Sequence, residues 1–199
     1  MSVLIKICGL RDAATVEAAV AAGANAVGFV FAESVRRVTP AAASDAARQV
    51  PESVLRVAVM RHPSNDEWQS VLDAFAPDVL QTDAEDFAGL DVPDNVIRWP
   101  VVREGSAVVD AGLPEVFVYE GIDSGVGETV DWSRAAEVAT RGRMILAGGL
   151  AADNVATAMR IVAPWGVDVS SAVESSPGQK DIDKISQFIS AARAAENDS

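Results

Sequence analysis

The chain has 199 residues, 49% of them hydrophobic, and its 29 acidic side chains outnumber 16 basic ones, for a formal net charge of −13. This length and composition predict one globular domain, residues 1–199, with a sizeable core. The negative charge argues against binding to nucleic acid or to an anionic membrane. A single cysteine and a single histidine exclude an internal disulfide and a multi-cysteine metal site, and they argue against a Ser-His-Asp triad.

The N-terminal residues Met1–Lys6 lack the basic segment and the long apolar segment of a secretory signal. No apolar run in the chain approaches the roughly 20 residues that a membrane-spanning helix needs. We therefore expect a cytoplasmic protein without a membrane anchor.

Apolar, β-rich segments alternate with amphipathic, alanine-rich segments along the whole chain. In chain order the pattern predicts strand Val3–Cys8, helix Asp12–Ala22, strand Ala26–Phe31, helix Pro40–Gln49, strand Val54–Met60, helix Ser64–Phe75, strands Val79–Gln81, Val96–Val101 and Val116–Glu120, helix Ser133–Thr140, strand Met144–Ala147, helix Ala152–Val162, strand Val167–Ser170 and helix Asp181–Ala195. The sequence pattern is compatible with either helix or loop in two shorter stretches, Asp83–Gly89 and Glu104–Gly112. Asp12, Thr39 and Ser64 precede helices as N-caps, and Glu67 completes a capping box with Ser64.

The repeated βα alternation predicts a parallel sheet, because parallel neighbours need a long crossover between them. Eight units of about 25 residues favour an α/β fold of the closed (β/α)8, or TIM, barrel type, with an open doubly wound sheet as the alternative. In such barrels the active site lies at the C-terminal ends of the strands, so the residues that end each strand are the candidates for chemistry.

Cys8 ends the first strand, beside Gly9. A free cysteine is more often a small buried core residue than a catalyst, but its place at the strand end favours a reactive thiol. An unperturbed thiol is mostly protonated at neutral pH and needs local help to act as a base. Lys6 shares a face of this strand with Cys8.

Two short motifs end the last two strands, Gly148-Gly149 and Ser170-Ser171. Loops after the seventh and eighth strands of such barrels frequently bind phosphate through backbone N–H groups. The glycines alone are equally compatible with a simple turn, and the coincidence of the two motifs favours a phosphate site.

The sixth strand and the loop after it supply two candidate general acids. Glu120 continues the strand toward the barrel mouth, whereas Asp123 lies in a glycine-containing loop and is also compatible with a solvated turn. This loop is long enough to close over a ligand. Arg36 follows the second strand and suits a substrate carboxylate, although a surface pair with Arg37 is the alternative. His62 is placed in a surface turn without a catalytic role.

Several motifs in order resemble the phosphoribosylanthranilate isomerase family. They are Lys6–Leu10, Gly23–Phe31 with Ser34–Pro40, Ser124–Trp132, Leu146–Leu150 with Asn154-Val155, and Val167–Glu174 with Pro177–Asp181. The resemblance spans the whole chain.

The resemblance implies an isomerase of tryptophan biosynthesis that performs an Amadori rearrangement of N-(5-phosphoribosyl)anthranilate and uses no cofactor or metal. The family's general base matches Cys8, its general acid matches Glu120 with Asp123 as the alternative, and its carboxylate-binding arginine matches Arg36. The implied substrate-binding residues are Gly125, Gly127, Gly148, Gly149, Ser170 and Ser171. The implied partner is the small phosphorylated substrate, and the implied state is a monomer or a homodimer.

The sequence departs from the family in three segments, and in one of them the third strand ends Met60-Arg61-His62-Pro63 in place of Phe-Val-Asn-Pro. The family's acid is usually an aspartate, whereas Glu120 stands here, and the fourth strand reads Gln81-Thr82-Asp83-Ala84 in place of Gln-Leu-His-Gly. The rival interpretations are a related histidine-pathway aminoaldose isomerase, a bifunctional version, and a non-catalytic phosphate-binding barrel. The histidine-pathway enzyme has an aspartate as its first-strand base, so Cys8 favours the substrate of the tryptophan pathway.

Overall fold

Eight parallel strands close into a barrel in the computed structural model, which describes residues 2–106, 112–122 and 129–197. The strands are β1 (Leu4–Cys8), β2 (Ala26–Val30), β3 (Leu55–Val59), β4 (Val79–Asp83), β5 (Ile97–Arg103), β6 (Val116–Glu120), β7 (Arg143–Leu146) and β8 (Gly166–Val169). Each pairs with its neighbour in sequence, and β8 pairs with β1. The prediction of a closed (β/α)8 barrel is confirmed, and the open doubly wound alternative is wrong.

The helices between the strands are α1 (Ala13–Ala22), α2 (Pro40–Ala46), α3 (Asn65–Phe75), α4 (Trp132–Ala139), α5 (Val155–Val162) and α6 (Ile182–Asn197). The predicted caps are present: Asp12 and Thr39 each accept a hydrogen bond from a first-turn N–H, and Ser64 forms a capping box with Glu67. No helix among the described residues is both long and apolar enough to cross a membrane.

Several element boundaries differ from the sequence prediction by one to three residues. Helix α2 ends three residues early, at Ala46, and β4 runs two residues further, to Asp83. The undecided stretch after β4 is a 3₁₀ helix, Ala84–Ala88, whereas residues 104–106 and 112–115 contain no helix. A short hairpin, β9 (Glu174–Ser176) with β10 (Gln179–Lys180), follows β8 and was not predicted, because two or three polar residues carry no strand periodicity.

Strict alternation along the strands separates two cores. On β1, Ile5 and Ile7 face the helices, whereas Leu4 belongs to the barrel interior together with Val57, Trp99 and other apolar side chains. Lys6 and Cys8 follow Leu4 at spacings of two and therefore point into the barrel. The interior is apolar near the N-terminal ends of the strands and becomes polar toward their C-terminal ends, where the cleft opens.

Candidate active site

A cleft of about 240 Å³ opens at the C-terminal ends of the strands. Most of the residues predicted from the sequence line it together: Cys8, Arg36, Glu120, Gly148, Gly149, Ser170 and Ser171. The other three predicted residues, Asp123, Gly125 and Gly127, lie outside the described residues. The fold therefore brings residues from five different βα units to one place.

Cys8 is buried at the end of β1, with its side chain beside that of Lys6. Burial raises the pKa of the Cys8 thiol, and the positive charge of Lys6 acts in the opposite direction. Gly28 on β2 makes room for both side chains, since a Cβ there would lie 3.1 Å from Cys8 Sγ and 3.1 Å from Lys6 Cε. The thiol thus sits in a tight, largely dehydrated place whose nearest charge is a cation.

Lys6 is itself fully buried and forms an ion pair with Asp168 of β8, with 2.7 Å between Nζ and Oδ2. Burial lowers the pKa of Lys6, but the charges and hydrogen bonds of Asp168 and Cys8 together outweigh it, so that the pKa is raised above the ordinary value. The other oxygen of Asp168, Oδ1, is buried without a hydrogen-bond partner among the described residues, and Asp168 lines the cleft. An acceptor placed in this way is available to a ligand hydroxyl or N–H.

Arg36 reaches the cleft from the loop after β2 and is held by Glu174 of β9. Its Nε and Nη2 donate to the two carboxylate oxygens at 2.7 and 3.0 Å, and Lys180 Nζ donates to the same carboxylate at 2.8 Å. Burial would raise the pKa of Glu174, but these hydrogen bonds lower it to about 2. Among the described residues, no hydrogen bond involves Nη1 of Arg36, and this edge of the guanidinium can meet a substrate carboxylate.

The ends of β7 and β8 form a corner rich in backbone donors. Gly148 and Gly149 have φ values of +86° and +61°, a left-handed conformation that glycine adopts readily. No backbone carbonyl among the described residues accepts a hydrogen bond from the N–H of Gly148, Gly149 or Ser170. Lys180 Nζ lies behind this corner, 2.8 Å from the Ser170 carbonyl oxygen. Unpaired N–H groups backed by an ammonium are suited to a phosphate.

Glu120 ends β6 and contacts Arg103, its neighbour in register on β5. Arg103 Nη1 lies 2.7 Å from Glu120 Oε1, and Arg103 Nη2 lies 2.7 Å from Asp83 Oδ1 at the end of β4. All three side chains line the cleft. A carboxyl group is therefore present at the predicted place, in contact with a guanidinium that the sequence analysis did not assign.

His62 lies on the exposed loop after β3, and its side chain is 57% exposed. Nδ1 is 2.9 Å from Asp86 Oδ1, and Nε2 is 3.5 Å from Asp83 Oδ2. His62, Asp83 and Asp86 are the one set of potential metal ligands among the described residues whose ligand atoms lie within 4.8 Å of one another. Arg103 and Arg61 already place positive charge 2.7 and 4.0 Å from the Asp83 carboxylate, which disfavours a cation there.

Sequence reasoning missed four charged side chains at the site. Arg103 and Asp168 line the cleft, whereas Glu174 and Lys180 contact the lining residues Arg36 and Ser170. A signal existed for Asp168, because a carboxylate inside an otherwise apolar strand is rarely buried without a partner. Closure of the barrel sets β8 beside β1 with Asp168 opposite Lys6. The predicted barrel therefore also indicated Lys6 as the partner of Asp168. Glu174 and Lys180 gave no such signal, because the hairpin that carries them was not predicted.

The fold and the cleft define a (β/α)8-barrel protein that brings together a thiol, a carboxyl group and two separate sets of hydrogen-bond donors. A family model described as N-(5'-phosphoribosyl)anthranilate (PRA) isomerase matches residues 5–191. The chain belongs to this family.

Individual relatives agree with the family match over nearly their full length. The N-(5'-phosphoribosyl)anthranilate isomerase of Pelobacter propionicus is 38% identical over 207 residues, 98% of this chain and 98% of the relative. A solved phosphoribosyl anthranilate isomerase in complex with reduced 1-(o-carboxyphenylamino)-1-deoxyribulose 5-phosphate is 28% identical, with a TM-score of 0.80 over 96% of this chain and 99% of that chain. A structure of monomers generated from the dimeric Thermotoga maritima enzyme matches with the same identity, TM-score and coverage.

Proposed function

We propose that this chain converts N-(5'-phosphoribosyl)anthranilate to 1-(2-carboxyphenylamino)-1-deoxyribulose 5-phosphate in tryptophan biosynthesis, with Cys8 as general base and Glu120 as general acid. Membership of the isomerase family over residues 5–191 supports the reaction. The observation that carries the assignment is the meeting of Cys8 and Glu120 in one cleft, together with Arg36 and the corner of free N–H groups. A base, an acid, a carboxylate site and a phosphate site are what this substrate requires.

The first chemical step opens the ribose ring. Glu120 donates its proton to the ring oxygen as the bond between that oxygen and C1' breaks, and the lone pair of the anthranilate nitrogen forms the C=N bond of a Schiff base. The carboxylate that remains is stabilised by Arg103, 2.7 Å away. A well-placed acid of this kind contributes about 10²–10⁴ in rate.

The second step removes the proton on C2'. The Cys8 thiolate takes this proton, and the electrons of the C–H bond form a C1'=C2' double bond while the nitrogen is neutralised, giving an enolamine that tautomerises to the ketone. Burial raises the pKa of the Cys8 thiol, and the Lys6 ammonium acts against this effect by stabilising the thiolate. The Asp168 carboxylate, 2.7 Å from Lys6, balances the buried ammonium.

Substrate binding must depend on local groups, because the protein carries a net charge of −13 and the substrate is also an anion. Arg36 holds the anthranilate carboxylate through the guanidinium edge that Glu174 leaves open. The phosphate binds at the N–H groups of Gly148, Gly149, Ser170 and Ser171, with Lys180 behind them. Gly125 and Gly127 belong to the same proposal as residues of the loop after β6.

The remaining assignments are also proposals. Residues 1–199 form a single domain that works in the cytoplasm on its phosphorylated substrate, without binding nucleic acid or a membrane. The absence of a membrane-spanning helix among the described residues is consistent with this location. The chain acts as a monomer or a homodimer, and a related enzyme described as dimeric but also obtained as monomers supports either state.

The experiment that tests the proposed function measures turnover of freshly generated phosphoribosylanthranilate by wild type, Glu120→Gln and Asp123→Asn. We expect wild-type turnover, a loss of kcat by at least about 10²-fold for Glu120→Gln, and a small effect for Asp123→Asn. The reverse pattern would transfer the acid role to Asp123. Wild-type turnover of the histidine-pathway aminoaldose alone would instead contradict the proposed substrate.

A further inference from the structure

Arg103 joins two of the segments in which this sequence departs from the family, the ends of the fourth and sixth strands. Asp83 stands where the fourth strand of the family has histidine, and Glu120 stands where the sixth strand has aspartate. Both are bound by the same guanidinium, Asp83 Oδ1 by Nη2 and Glu120 Oε1 by Nη1, each at 2.7 Å. The departures are therefore parts of one structural unit.

The guanidinium is held firmly because its anchor is buried. The Asp83 side chain is only 4% exposed, and its second oxygen, Oδ2, faces His62 Nε2 at 3.5 Å. Arginine presents its donors in a planar, rigid fork, so a contact on one side fixes the direction of the other. Asp83 thereby determines where Arg103 Nη1 points, and that direction is toward the carboxyl group of Glu120.

A glutamate needs such a restraint more than an aspartate does. Its additional rotatable bond lets the carboxyl group sample more positions, so ordering it costs more conformational entropy. A catalytic group must be held close to its productive geometry before the substrate arrives. The contact with Arg103 supplies this order in advance.

Asp83 also provides a second counter-ion for the Arg103 guanidinium. A guanidinium whose only counter-ion is Glu120 would oppose the protonation that a general acid requires. Because Asp83 is a second carboxylate on the same guanidinium, the charge of Arg103 stays balanced when Glu120 takes up a proton. Arg103 therefore keeps a counter-ion that does not depend on the charge of Glu120.

We propose that Arg103 is a positioning residue for the general acid Glu120, and that Asp83 anchors Arg103 and balances its charge. This inference rests on the proposed function of Glu120. Arg103 and Asp83 act on the reaction through Glu120, so their effect must appear in kcat and must depend on the presence of the Glu120 carboxyl group.

The test is a double-mutant cycle with steady-state kinetics on phosphoribosylanthranilate. Arg103→Ala lowers kcat by about 10–100-fold with KM changed less than about threefold. In the Glu120→Gln background the same substitution lowers kcat by less than about twofold, because the group it positions is already gone. Asp83→Asn, which leaves Glu120 as the counter-ion of Arg103, lowers kcat in wild type and has little further effect in Glu120→Gln.

Arg98→Ala is the matched control, since Arg98 lies on the same strand but is exposed and does not line the cleft. It keeps wild-type kcat and KM. If Arg103→Ala does not fold, as judged by thermal unfolding, Arg103→Gln carries the same comparison, because it keeps planar N–H donors and removes the charge.

Three results would overturn the inference. An equal loss of kcat in both backgrounds would show that Arg103 does not act through Glu120, and a rise in KM with kcat unchanged would make it a substrate ligand. Failure of the proposed function can be told apart from failure of this inference. A wild-type kcat in the Glu120→Gln variant would show that Glu120 is not the general acid. An impaired Glu120→Gln with an unimpaired Arg103→Ala removes only the positioning role.

Discussion

Lys6 and Asp168 form a buried ion pair across the seam where the first and last strands of the barrel meet. The two residues are in register on β1 and β8, 2.7 Å separates Nζ from Oδ2, and the side chains are 0% and 8% exposed. Each charge tolerates burial only because the other is present. The pair therefore brings a cation to the Cys8 thiol without leaving an unbalanced charge inside the barrel.

Removing one member of this pair is expected to destabilise the protein strongly. Lys6→Met leaves the Asp168 carboxylate buried and unpaired, and the free energy of unfolding falls by about 3–5 kcal/mol. The double variant Lys6→Met with Asp168→Leu recovers most of the loss, since it removes both charges. Urea unfolding of the three proteins checks this. Additive losses in the double variant would show that the two side chains do not depend on each other.

Gly28→Ala is expected to impair catalysis more than folding. The new Cβ would lie 3.1 Å from Cys8 Sγ and from Lys6 Cε, so the thiol or the ammonium must move from its place. We expect kcat to fall by about tenfold or more, because small misplacements of a catalytic group are costly. Gly89→Ala is the control, as its Cβ would meet nothing closer than 3.8 Å. Equal kcat for the two variants would contradict the tight packing around Cys8.

Arg36→Ala is expected to weaken substrate binding. Loss of the guanidinium removes the partner of the substrate carboxylate, and KM rises by at least about tenfold. Arg37→Ala serves as the matched control, because Arg37 is adjacent but exposed and does not line the cleft. Unchanged kinetics in Arg36→Ala, measured beside that control, would remove Arg36 from the site.

The low pKa of Glu174 predicts a specific loss of stability in acid. Its folded pKa of about 2 lies below the ordinary value of 4.5, so its stabilising effect is present above pH 4.5 and is lost as the pH falls toward 2. The effect amounts to at most about 3 kcal/mol. The difference in unfolding free energy between wild type and Glu174→Gln should therefore shrink from pH 6 to pH 3. A difference that stays constant over this range, or one reproduced by Glu52→Gln at the exposed Glu52, would contradict the assignment.

Much of the fold followed from local patterns. Alternation along strands and well-marked caps such as Asp12, Thr39 and Ser64 located eight strands and six helices, and closure followed from their number. The residues at strand ends also entered the cleft as expected, Cys8 and Glu120 among them. These features depend on short-range sequence signals, which is why they can be found before a structure is known.

The charged partners in the cleft depend on neighbours that are distant in sequence. Asp168 meets Lys6 only because the barrel closes, 162 residues apart along the chain. Glu174 reaches Arg36 from a hairpin too short to leave a periodic signal. Arg103 could be noted as the end of a strand, but its two carboxylates come from the strands on either side. The register between strands decides such contacts, and register is a property of the assembled sheet.

The most direct test of the account is the loss of anthranilate fluorescence when wild type, Cys8→Ala and Cys8→Ser are mixed with freshly generated phosphoribosylanthranilate. Each variant is first shown by thermal unfolding to be folded. The account predicts rapid decay with wild type and a rate at least about 10²-fold lower with either variant. Decay at the wild-type rate in Cys8→Ala would contradict Cys8 as the base, and no decay with wild type would contradict the proposed reaction.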